Sequence, residues 1–313
     1  MNSQSVSVVI PVYGSELSLV ELVDRLERVL CEAAQAFEII LVNDASPDRA
    51  WAVVEQLAAG HPAVRGINLL RNYGQHNALL AGIREAKHEV IVTMDDDLQH
   101  PPEEIPLLLR ALTDDVDLVY GYAAEEEHGL WRNVSSRITK VALASALGMD
   151  AARHASAFRA FRTCLRSAFA DNKDSAVALD ALLSWGTSRI AALPVQMDDR
   201  RYGDSGYTFR KLVAHAMNLM TGYSTTPLRY VTYVGLFMAV FGVGVLGLVV
   251  GRYFIDGRAE PGFAFIASTV AIFSGAQLAA LGILGEYLGR VHFRTMGRPT
   301  YAIRQITGQQ GGG

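Results

Sequence analysis

The sequence has only two cysteines in 313 residues, Cys31 and Cys164, and they lie far apart without metal-ligand spacing. This scarcity argues against a disulfide framework and a cysteine-based zinc site, and it fits a reducing compartment. Charged residues make up only 19% of the chain, and the net charge is −4. A chain without excess positive charge lacks a surface for binding nucleic acid by bulk basicity. We therefore expect no nucleic-acid partner.

Two long stretches near the carboxyl end contain no charged residue. Tyr230–Gly251 is a run of 22 residues, and Pro261–Gly285 is a run of 25 residues. A helix of about 20 apolar residues crosses the hydrocarbon core of a bilayer, so these runs predict two transmembrane helices. The alternative is a pair of helices buried in a protein core, although core helices seldom run so far without a charge.

The distribution of basic residues predicts the orientation of this helical pair. The loop 252–260 holds two arginines and two acids, whereas the segment 286–313 holds four arginines and one acid. By the positive-inside rule we expect the loop outside the cell and the 286–313 tail in the cytosol. The amino-terminal residues 1–208 begin with no secretory leader pattern, so we expect a cytosolic catalytic domain on a cell-membrane anchor.

A short segment, residues 209–229, joins this domain to the first span. Within it, Phe209–Met220 combines basic residues at one end with apolar residues at helical spacing. This pattern is typical of a helix that lies in the membrane interface, where it holds a domain against lipid headgroups. An ordinary amphipathic core helix would show the same pattern.

The amino-terminal part reads as alternating strands and helices. Strands are predicted at Ser5–Tyr13, Phe37–Ser46, Val64–Asn72 and Glu89–Asp97, each followed or preceded by apolar residues at helical spacing. Such alternation predicts an α/β fold with a mostly parallel sheet covered by helices on both faces. Ligands bind such sheets beyond the carboxyl ends of the strands, where Tyr13, Asp44, Asn72 and Asp95 fall.

The segment Met94–Glu104 contains the residues that most strongly indicate a chemical function. Asp95, Asp96 and Asp97 are consecutive carboxylates at the end of an apolar strand, and Pro101 and Pro102 follow them. Because adjacent carboxylates repel one another, a hard divalent cation held by Asp95 or Asp97 would reduce the electrostatic repulsion between them. A solvated acidic surface loop is the simpler alternative.

Several motifs, taken in order, resemble a known family. SVVIPVYG, LVNDASPD, RNYGQHNALLAG and DDDLQHPPEEI resemble glycosyltransferase family 2, whose members have the GT-A fold. RRYGDSGYTFRKL, TTPLRY, GILGEYLGR and RPTY, placed around the two spans, resemble its polyprenyl-phosphate glycosyltransferases. The similarity is greatest to the undecaprenyl-phosphate 4-deoxy-4-formamido-L-arabinose transferase group, and dolichol-phosphate-mannose synthases are more distant.

The resemblance implies roles for individual residues. On the donor side it implies contacts from Pro11, Tyr13, Glu16, Asp44, Asn72, Gln75 and Asp95. Asp95 and Asp97 fall on the family's DxD positions and would hold Mg²⁺ or Mn²⁺, with Asp97 the more direct ligand and Gln99 beside the reacting groups. On the acceptor side it implies phosphate contacts from Arg132, Arg137, Arg200, Arg201 and Ser205. Relatives also assemble as homotetramers, which we expect here.

The chain departs from the family pattern at positions that bear on the donor. Gly14 and Ser15 stand where the family has Asn-Glu, Arg153 stands near a family acid, and Gly206 stands where the family has lysine. An arginine in place of an acid inverts the local charge. We therefore expect a different donor sugar, such as a neutral hexose or N-acetylhexosamine, with Arg153 on the sugar side of the site. The alternative is that Arg153 is a surface residue.

Together these features predict inverting transfer of a sugar from a nucleotide donor, in our interpretation a UDP-sugar, to polyprenyl phosphate at the cytosolic membrane face. A processive polysaccharide synthase would share the GT-A domain, but the QxxRW motif of such enzymes is absent here. A non-catalytic binding protein on a degenerate domain is the other alternative. It would apply if the departures prevented metal or donor binding.

Overall fold

The amino-terminal domain alternates strands and helices, as predicted. A computed structural model describes residues 4–123, 155–170, 177–198, 226–256 and 262–308. Its elements are β1 (Ser5–Val12), α1 (Leu19–Ala33), β2 (Ala36–Asn43), α2 (Ala50–Gly60), β3 (Val64–Leu69), α3 (Gln75–Glu85), β4 (Val90–Thr93), α4 (Ile105–Ala111), β5 (Leu118–Ala123), β6 (Arg159–Arg162), α5 (Leu179–Gly186), β7 (Ile190–Val195), α6 (Thr226–Asp256), α7 (Phe263–Thr295) and β8 (Ile303–Thr307).

Three strands end three or four residues before the predicted positions. β2 ends at Asn43, β3 at Leu69 and β4 at Thr93, so the polar residues that follow them lie in loops. Asp, Asn and Ser side chains bond to nearby backbone groups and so favour turns over strand pairing. Asn43 does this directly, because its Oδ1 accepts a hydrogen bond of 3.3 Å from the backbone N–H of Ser46.

The eight strands form one sheet in the order β7-β5-β6-β4-β1-β2-β3-β8. β1 is parallel to β2 and β4, β2 to β3, and β5 to β7, whereas β6 is antiparallel to both of its neighbours and β8 is antiparallel to β3. Only β6 and β8 therefore run against the rest, and the prediction of a mostly parallel sheet is confirmed. The chain moves from β1 to β3 in one direction and then returns to place β4 on the other side of β1.

Helices cover both faces of the sheet. Alternate residues of the central strands point to opposite faces, as the period of a strand requires. One face packs Val8, Ile10, Ile39 and Leu41 against the buried side of α1, α2 and α4. The other packs Val9, Ile40, Val42 and Ile67 against α3 and α5. The core is therefore two apolar layers, one on each side of the sheet.

The last strand, β8, pairs with the edge of the same sheet. Ile306 lies opposite Ile67 and Gln305 opposite Asn68, and the Gln305 side chain donates a hydrogen bond of 3.1 Å to Glu55. Gly308, directly after the strand, has a φ of +95°, and a Cβ there would lie 2.6 Å from the carbonyl oxygen of Val64. Residues 303–308 thus return, after both apolar helices, to the sheet of the domain that precedes them.

Both predicted membrane segments are long helices with exposed apolar sides. Windows of 21 residues, Leu228–Leu248 in α6 and Ile272–His292 in α7, have mean hydropathies of 2.1 and 1.2, and none of their residues is buried. The alternative of buried core helices does not hold for this structure. Helix α7 also continues beyond the predicted end at Gly285, to Thr295. Within this extension, Glu286 and Arg290, one turn apart, form an ion pair of 2.8 Å.

Candidate active site

The candidate site lies at the carboxyl ends of β1 and β4. The strand order reverses between these neighbours, and the crevice at such a reversal is where open α/β sheets bind ligands. Two loops flank it: the first loop (residues 13–18), which follows β1, and the acidic loop (residues 94–100), which follows β4. The segment after β7 contacts the acidic loop, because the Asp198 N–H donates a hydrogen bond of 2.9 Å to the carbonyl of Gln99.

The two outer carboxylates of the acidic loop, Asp95 and Asp97, have different hydrogen-bond partners. Asp95 accepts a hydrogen bond of 2.5 Å from the Gln75 side chain at the start of α3, and Asp97 accepts one of 3.1 Å from the backbone N–H of Gln99. Leu98, between Asp97 and Gln99, has a φ of +61°, an unusual conformation for a branched residue. Asp95, Asp97 and Gln99 thus lie on one loop, whereas Asp95 and Asp97 were predicted at the end of a strand.

The middle carboxylate, Asp96, was not among the predicted site residues. Its Oδ2 accepts hydrogen bonds from the backbone N–H of Tyr13 at 3.1 Å and from the Ser15 hydroxyl at 2.5 Å. Burial raises the pKa of Asp96, the bonds from Ser15 and Tyr13 act in the opposite direction, and the charge of Asp97 adds to the rise. The only sequence signal was the acidic triplet itself, which does not tell its members apart.

The side chain of Asp44, which follows β2, is hydrogen-bonded to the loop before α3. Its two carboxylate oxygens accept hydrogen bonds of 2.7 and 2.8 Å from the backbone N–H groups of Tyr73 and Gly74. Burial raises the pKa of Asp44, and these two hydrogen bonds oppose the rise. Asp44 therefore shapes the loop that leads to Gln75, and any contact with a nucleotide would be additional to this role.

The first loop is also bonded to the loop that follows β2. Gly14 donates a hydrogen bond of 2.7 Å to the Ser46 hydroxyl, and Glu16 donates one of 3.0 Å to Asp48. The Glu16 carboxylate accepts one of 3.1 Å from the backbone N–H of Arg49, next to the start of α2. Glu16, predicted to contact the donor, thus connects the first loop to the loop that follows β2 in this structure.

The other predicted donor residues differ in exposure. Pro11 is buried within β1, opposite Val42, so it shapes the strand end from inside the sheet. Tyr13 is 54% exposed, and Asn72 and Gln75 are also exposed at the same edge of the sheet. These three residues are exposed at the carboxyl edge of the sheet, and Gln75 reaches the crevice through its bond to Asp95.

A buried cluster beneath the acidic loop was missed by sequence reasoning. Arg159 is only 1% exposed, pairs with Asp180, and donates a hydrogen bond of 3.0 Å to the hydroxyl of Thr93, at the end of β4. The Tyr120 hydroxyl donates a hydrogen bond of 3.0 Å to the same carboxylate. Burial raises the pKa of Tyr120 well above its usual value, so this hydroxyl stays protonated. The available signal was an arginine enclosed by apolar residues in AFRAF.

His100, at the end of the acidic loop, is buried against β6. Its ring stacks on Phe158 with the ring centres 5.2 Å apart, and only 7% of the residue is exposed. Burial lowers the pKa of His100, while the charge of Asp97 acts in the opposite direction. Its Nδ1 is enclosed without a hydrogen-bond partner in the described part of the chain. We interpret His100 as a packing residue behind the carboxylates.

The donor set near Asp97 fits a cation shared with a ligand. Within the described residues, no group of three or more His, Cys, Asp or Glu side chains is placed to hold a metal ion. Mg²⁺ in phosphate-transfer sites is commonly held by one or two carboxylates together with substrate phosphates and water. Asp95 and Asp97 supply hard oxygen donors of this kind, so the residues present are compatible with a metal–diphosphate complex.

Six predicted residues lie outside the described part of the chain. They are the acceptor-side residues Arg132, Arg137, Arg200, Arg201 and Ser205, together with the donor-side Arg153. Their predicted roles remain predictions.

Solved structures of glycosyltransferases are similar in fold to this chain. A mannosyltransferase from Pyrobaculum calidifontis, solved with GDP-Man and Mn²⁺, aligns over 92% of this chain and 88% of its own, with a TM-score of 0.53 and 16% identity. Glucosyl-3-phosphoglycerate synthase from Mycobacterium tuberculosis, solved with Mn²⁺, UDP and phosphoglyceric acid, covers 70% of this chain and 76% of its own. Its TM-score is 0.50 and its identity 16%. These similarities support the GT-A-like α/β fold.

Sequence comparison gives the family. Two undecaprenyl-phosphate 4-deoxy-4-formamido-L-arabinose transferases match almost the whole chain. The one from Pseudomonas aeruginosa PAO1 is 35% identical over 96% of this chain and 90% of that protein, and the one from Photorhabdus laumondii is 34% identical over 97% and 95%. The family model described as glycosyl transferase family 2 matches residues 7–172. With the fold and the acidic crevice described above, these matches show that the chain belongs to glycosyl transferase family 2.

Proposed function

We propose that the protein transfers a sugar from a nucleotide-sugar donor to polyprenyl phosphate at the membrane. The observation that carries this proposal is the pairing of two features in one chain. The carboxylates Asp95 and Asp97 lie at the crevice of a family 2 domain, and this domain is joined to two exposed helices of membrane-spanning length. The names of the relatives, which describe transfer to undecaprenyl phosphate, support the acceptor class.

On the donor side, the accessible residues define where a nucleotide diphosphate would bind. Tyr13, Asn72 and Gln75 are exposed at the carboxyl edge of the sheet, and we assign them to the nucleotide, in our proposal UDP. Asp97, with Asp95 beside it, would hold Mg²⁺ or Mn²⁺. When bound, such an ion neutralises charge that develops on the leaving nucleoside diphosphate.

On the acceptor side, a phosphate monoester needs little activation. Its second pKa is about 6, so it is largely a dianion at neutral pH and can attack the anomeric carbon without a strong general base. A single in-line displacement of this kind inverts the configuration. We assign Arg132, Arg137, Arg200, Arg201 and Ser205 to the binding of this phosphate, because guanidinium groups pair with phosphate oxygens in a bidentate manner.

The acceptor requires the site to face a membrane. Each buried CH₂ of a lipid contributes about 0.8 kcal/mol, so a polyprenyl chain does not leave the bilayer to reach a soluble enzyme. We propose that α6 and α7 form a transmembrane hairpin, that residues 209–229 lie along the interface, and that the catalytic domain faces the cytosol. We further propose a homotetramer, which native mass spectrometry in detergent would test.

The donor sugar is a separate part of the proposal. Because Arg153 replaces an acid of the family pattern, we propose that the donor differs from the formamido-arabinose nucleotide implied by the relatives' names, and that Arg153 lies on the sugar side. A panel of radiolabelled nucleotide sugars, tested on wild type and Arg153→Asp, would decide this. A preference of the wild type for the formamido-arabinose donor, or an unchanged donor ranking in the variant, would exclude the idea.

The central test is the substitution Asp97→Asn in the full-length protein. We expect it to lower transfer by about 100-fold or more, because it removes a metal-binding charge and no core contact. The matched control is Asp24→Asn, which removes an exposed carboxylate on α1 away from the crevice. The measurement is label transfer from the nucleotide sugar to polyprenyl phosphate at saturating Mn²⁺, with the product analysed by mass spectrometry.

The outcomes separate the proposal from its alternatives. A product carrying one sugar supports the proposed transfer, whereas a lipid or polymer with many sugars indicates a processive synthase. Binding of UDP without any transfer indicates a non-catalytic protein. Full activity of Asp97→Asn would overturn the metal assignment.

A further inference from the structure

The middle residue of the acidic triplet is bonded to the opposite side of the crevice. Asp96 Oδ2 accepts two hydrogen bonds from the first loop, one from the backbone N–H of Tyr13 at 3.1 Å and one from the Ser15 hydroxyl at 2.5 Å. The Ser18 hydroxyl donates a third bond, of 2.6 Å, to the backbone carbonyl of Asp96. Three bonds therefore connect the first loop to the acidic loop, all of them through one residue.

The backbone of the first loop is shaped for this contact. Gly14, between the two groups that reach Oδ2, has a φ of +72°, a conformation that glycine adopts at little cost. The turn lets the N–H of Tyr13 and the side chain of Ser15 point to the same oxygen. The N–H of Gly14 itself points elsewhere, to the Ser46 hydroxyl at 2.7 Å. A side chain other than glycine would strain this turn.

Asp96 lies between the two carboxylates that the proposed function assigns to the metal. Asp95 accepts a hydrogen bond of 2.5 Å from the Gln75 side chain, and Asp97 accepts one of 3.1 Å from the backbone N–H of Gln99. Because the peptide units on both sides of Asp96 carry these two carboxylates, a shift of Asp96 moves both of them. Its bonds to the first loop thus set where the outer carboxylates stand relative to Tyr13.

We propose that Asp96 and Ser15 are positioning residues for the transfer reaction, fixing the first loop against the carboxylates Asp95 and Asp97. This inference rests on the proposed function, because it assigns the first loop to the nucleotide and the outer carboxylates to the metal. A residue that holds the reacting groups in position increases the reaction rate without itself contacting the substrate. Asp96 acts as a hydrogen-bond acceptor in this arrangement and holds no metal ion.

The test compares three substitutions in the full-length protein. Asp96→Ala removes the acceptor, Ser15→Ala removes one donor, and Asp96→Asn keeps an oxygen that can accept both bonds. We expect Asp96→Ala to raise the KM for the nucleotide sugar about tenfold, since two hydrogen bonds are lost, with a smaller effect on the KM for polyprenyl phosphate. Asp96→Asn should recover most of this loss at an unchanged Mn²⁺ requirement.

Coupling between the two residues gives a second prediction of the same proposal. In the double variant Asp96→Ala/Ser15→Ala, the effects on donor KM should be far from additive, because both changes remove the same bond. Additive effects, or variants that all behave as wild type, would overturn the proposal. An Asp96→Asn variant as impaired as Asp96→Ala, with a raised Mn²⁺ requirement, would make Asp96 a metal ligand and would also overturn it.

A readout that needs no substrate separates this inference from the proposed function. Hydrogen–deuterium exchange of residues 13–18 should accelerate in Asp96→Ala and stay near the wild-type rate in Asp96→Asn, because the loop loses its bonds only in the former. Unchanged exchange in Asp96→Ala would exclude the loop contact whatever the activity. Absence of sugar transfer in the wild type, with the exchange pattern as expected, would instead count against the proposed function.

Discussion

At the scale of single residues, chemically identical side chains acquire different properties from their neighbours. Burial raises the pKa of Asp44 and Asp96, which bond to backbone N–H groups and hydroxyls. Asp117, at the start of β5, is the opposite case. Its carboxylate accepts bonds of 2.7 and 2.9 Å from the Arg189 guanidinium, and the pKa of Asp117 is lowered chiefly by this arginine. Burial thus decides the direction of the pKa shift for Asp44 and Asp96, whereas the arginine partner decides it for Asp117.

The substitution Asp117→Asn tests this at the residue scale. A carboxylate whose pKa is lowered in the folded state stabilises the fold above its unfolded value of about 3.9, and this contribution is lost as the pH falls through the folded pKa. We expect Asp117→Asn to lower the melting temperature by about 2–4 °C at pH 7. The difference from wild type should shrink below about pH 4.

The control for this measurement is Asp114→Asn. Asp114 is fully exposed, and its contact with Arg162 is longer, at 3.7 Å. Exposed ion pairs contribute little, so we expect no measurable change in melting temperature. A loss in Asp117→Asn that persists undiminished at pH 3 would show that the hydrogen bonds matter and the charge does not.

At the scale of elements, helix α3 depends on a glycine. A Cβ at Gly82 would lie 2.4 Å from a Val9 methyl carbon and 2.9 Å from one of Val42, so the helix sits directly on β1 and β2. The same helix begins with Gln75, which donates to Asp95. Close packing of α3 therefore helps to place a residue of the candidate site.

We expect Gly82→Ala to destabilise the domain by about 1–3 kcal/mol, because the added methyl overfills the layer between helix and sheet. It should also raise the KM for the nucleotide sugar, since α3 must move outward with Gln75. The matched control is Gly60→Ala, in α2, where a Cβ meets no described atom within 4 Å. Thermal unfolding and donor kinetics are the measurements, and wild-type stability in Gly82→Ala would contradict the packing argument.

At the scale of the whole molecule, the pairing of β8 with β3 constrains the membrane topology. β3 precedes both apolar helices and β8 follows both. Because the two strands are hydrogen-bonded, the chain before α6 and the chain after α7 lie on the same side of any membrane they cross. An even number of crossings, such as the proposed hairpin, satisfies this condition.

Cysteine labelling tests which side that is. In a protein whose exposed Cys31 and Cys164 are replaced by serine, an impermeant maleimide on intact cells should label Asp256→Cys and leave Arg304→Cys unlabelled. Arg304 is exposed on β8 and suits a reporter, whereas Gly308 has no room for a side chain. Permeabilised cells should label both positions, and labelling of Arg304→Cys on intact cells would reverse the proposed orientation.

The sequence by itself determined the first four strands of the sheet, the two apolar helices and the edge of the sheet where the candidate site lies. These features follow from short-range patterns: apolar periods, charge-free runs, and polar residues after buried strands. The family was predicted separately, from the resemblance of several motifs taken in order. The same patterns predicted strands whose cores the structure confirms, although three of these strands end three or four residues earlier than predicted, and Asp95 and Asp97 therefore lie on a loop.

Only the tertiary structure decided how the side chains are paired. The bonds of Asp96 to the first loop, the burial of Arg159 beside Asp180, and the addition of β8 to the sheet all join residues that are distant in sequence. Their partners depend on sheet order and on backbone dihedrals such as the positive φ of Leu98, which no local pattern specifies. A strand as short as β8 forms because an edge is already present, and that edge belongs to the folded domain.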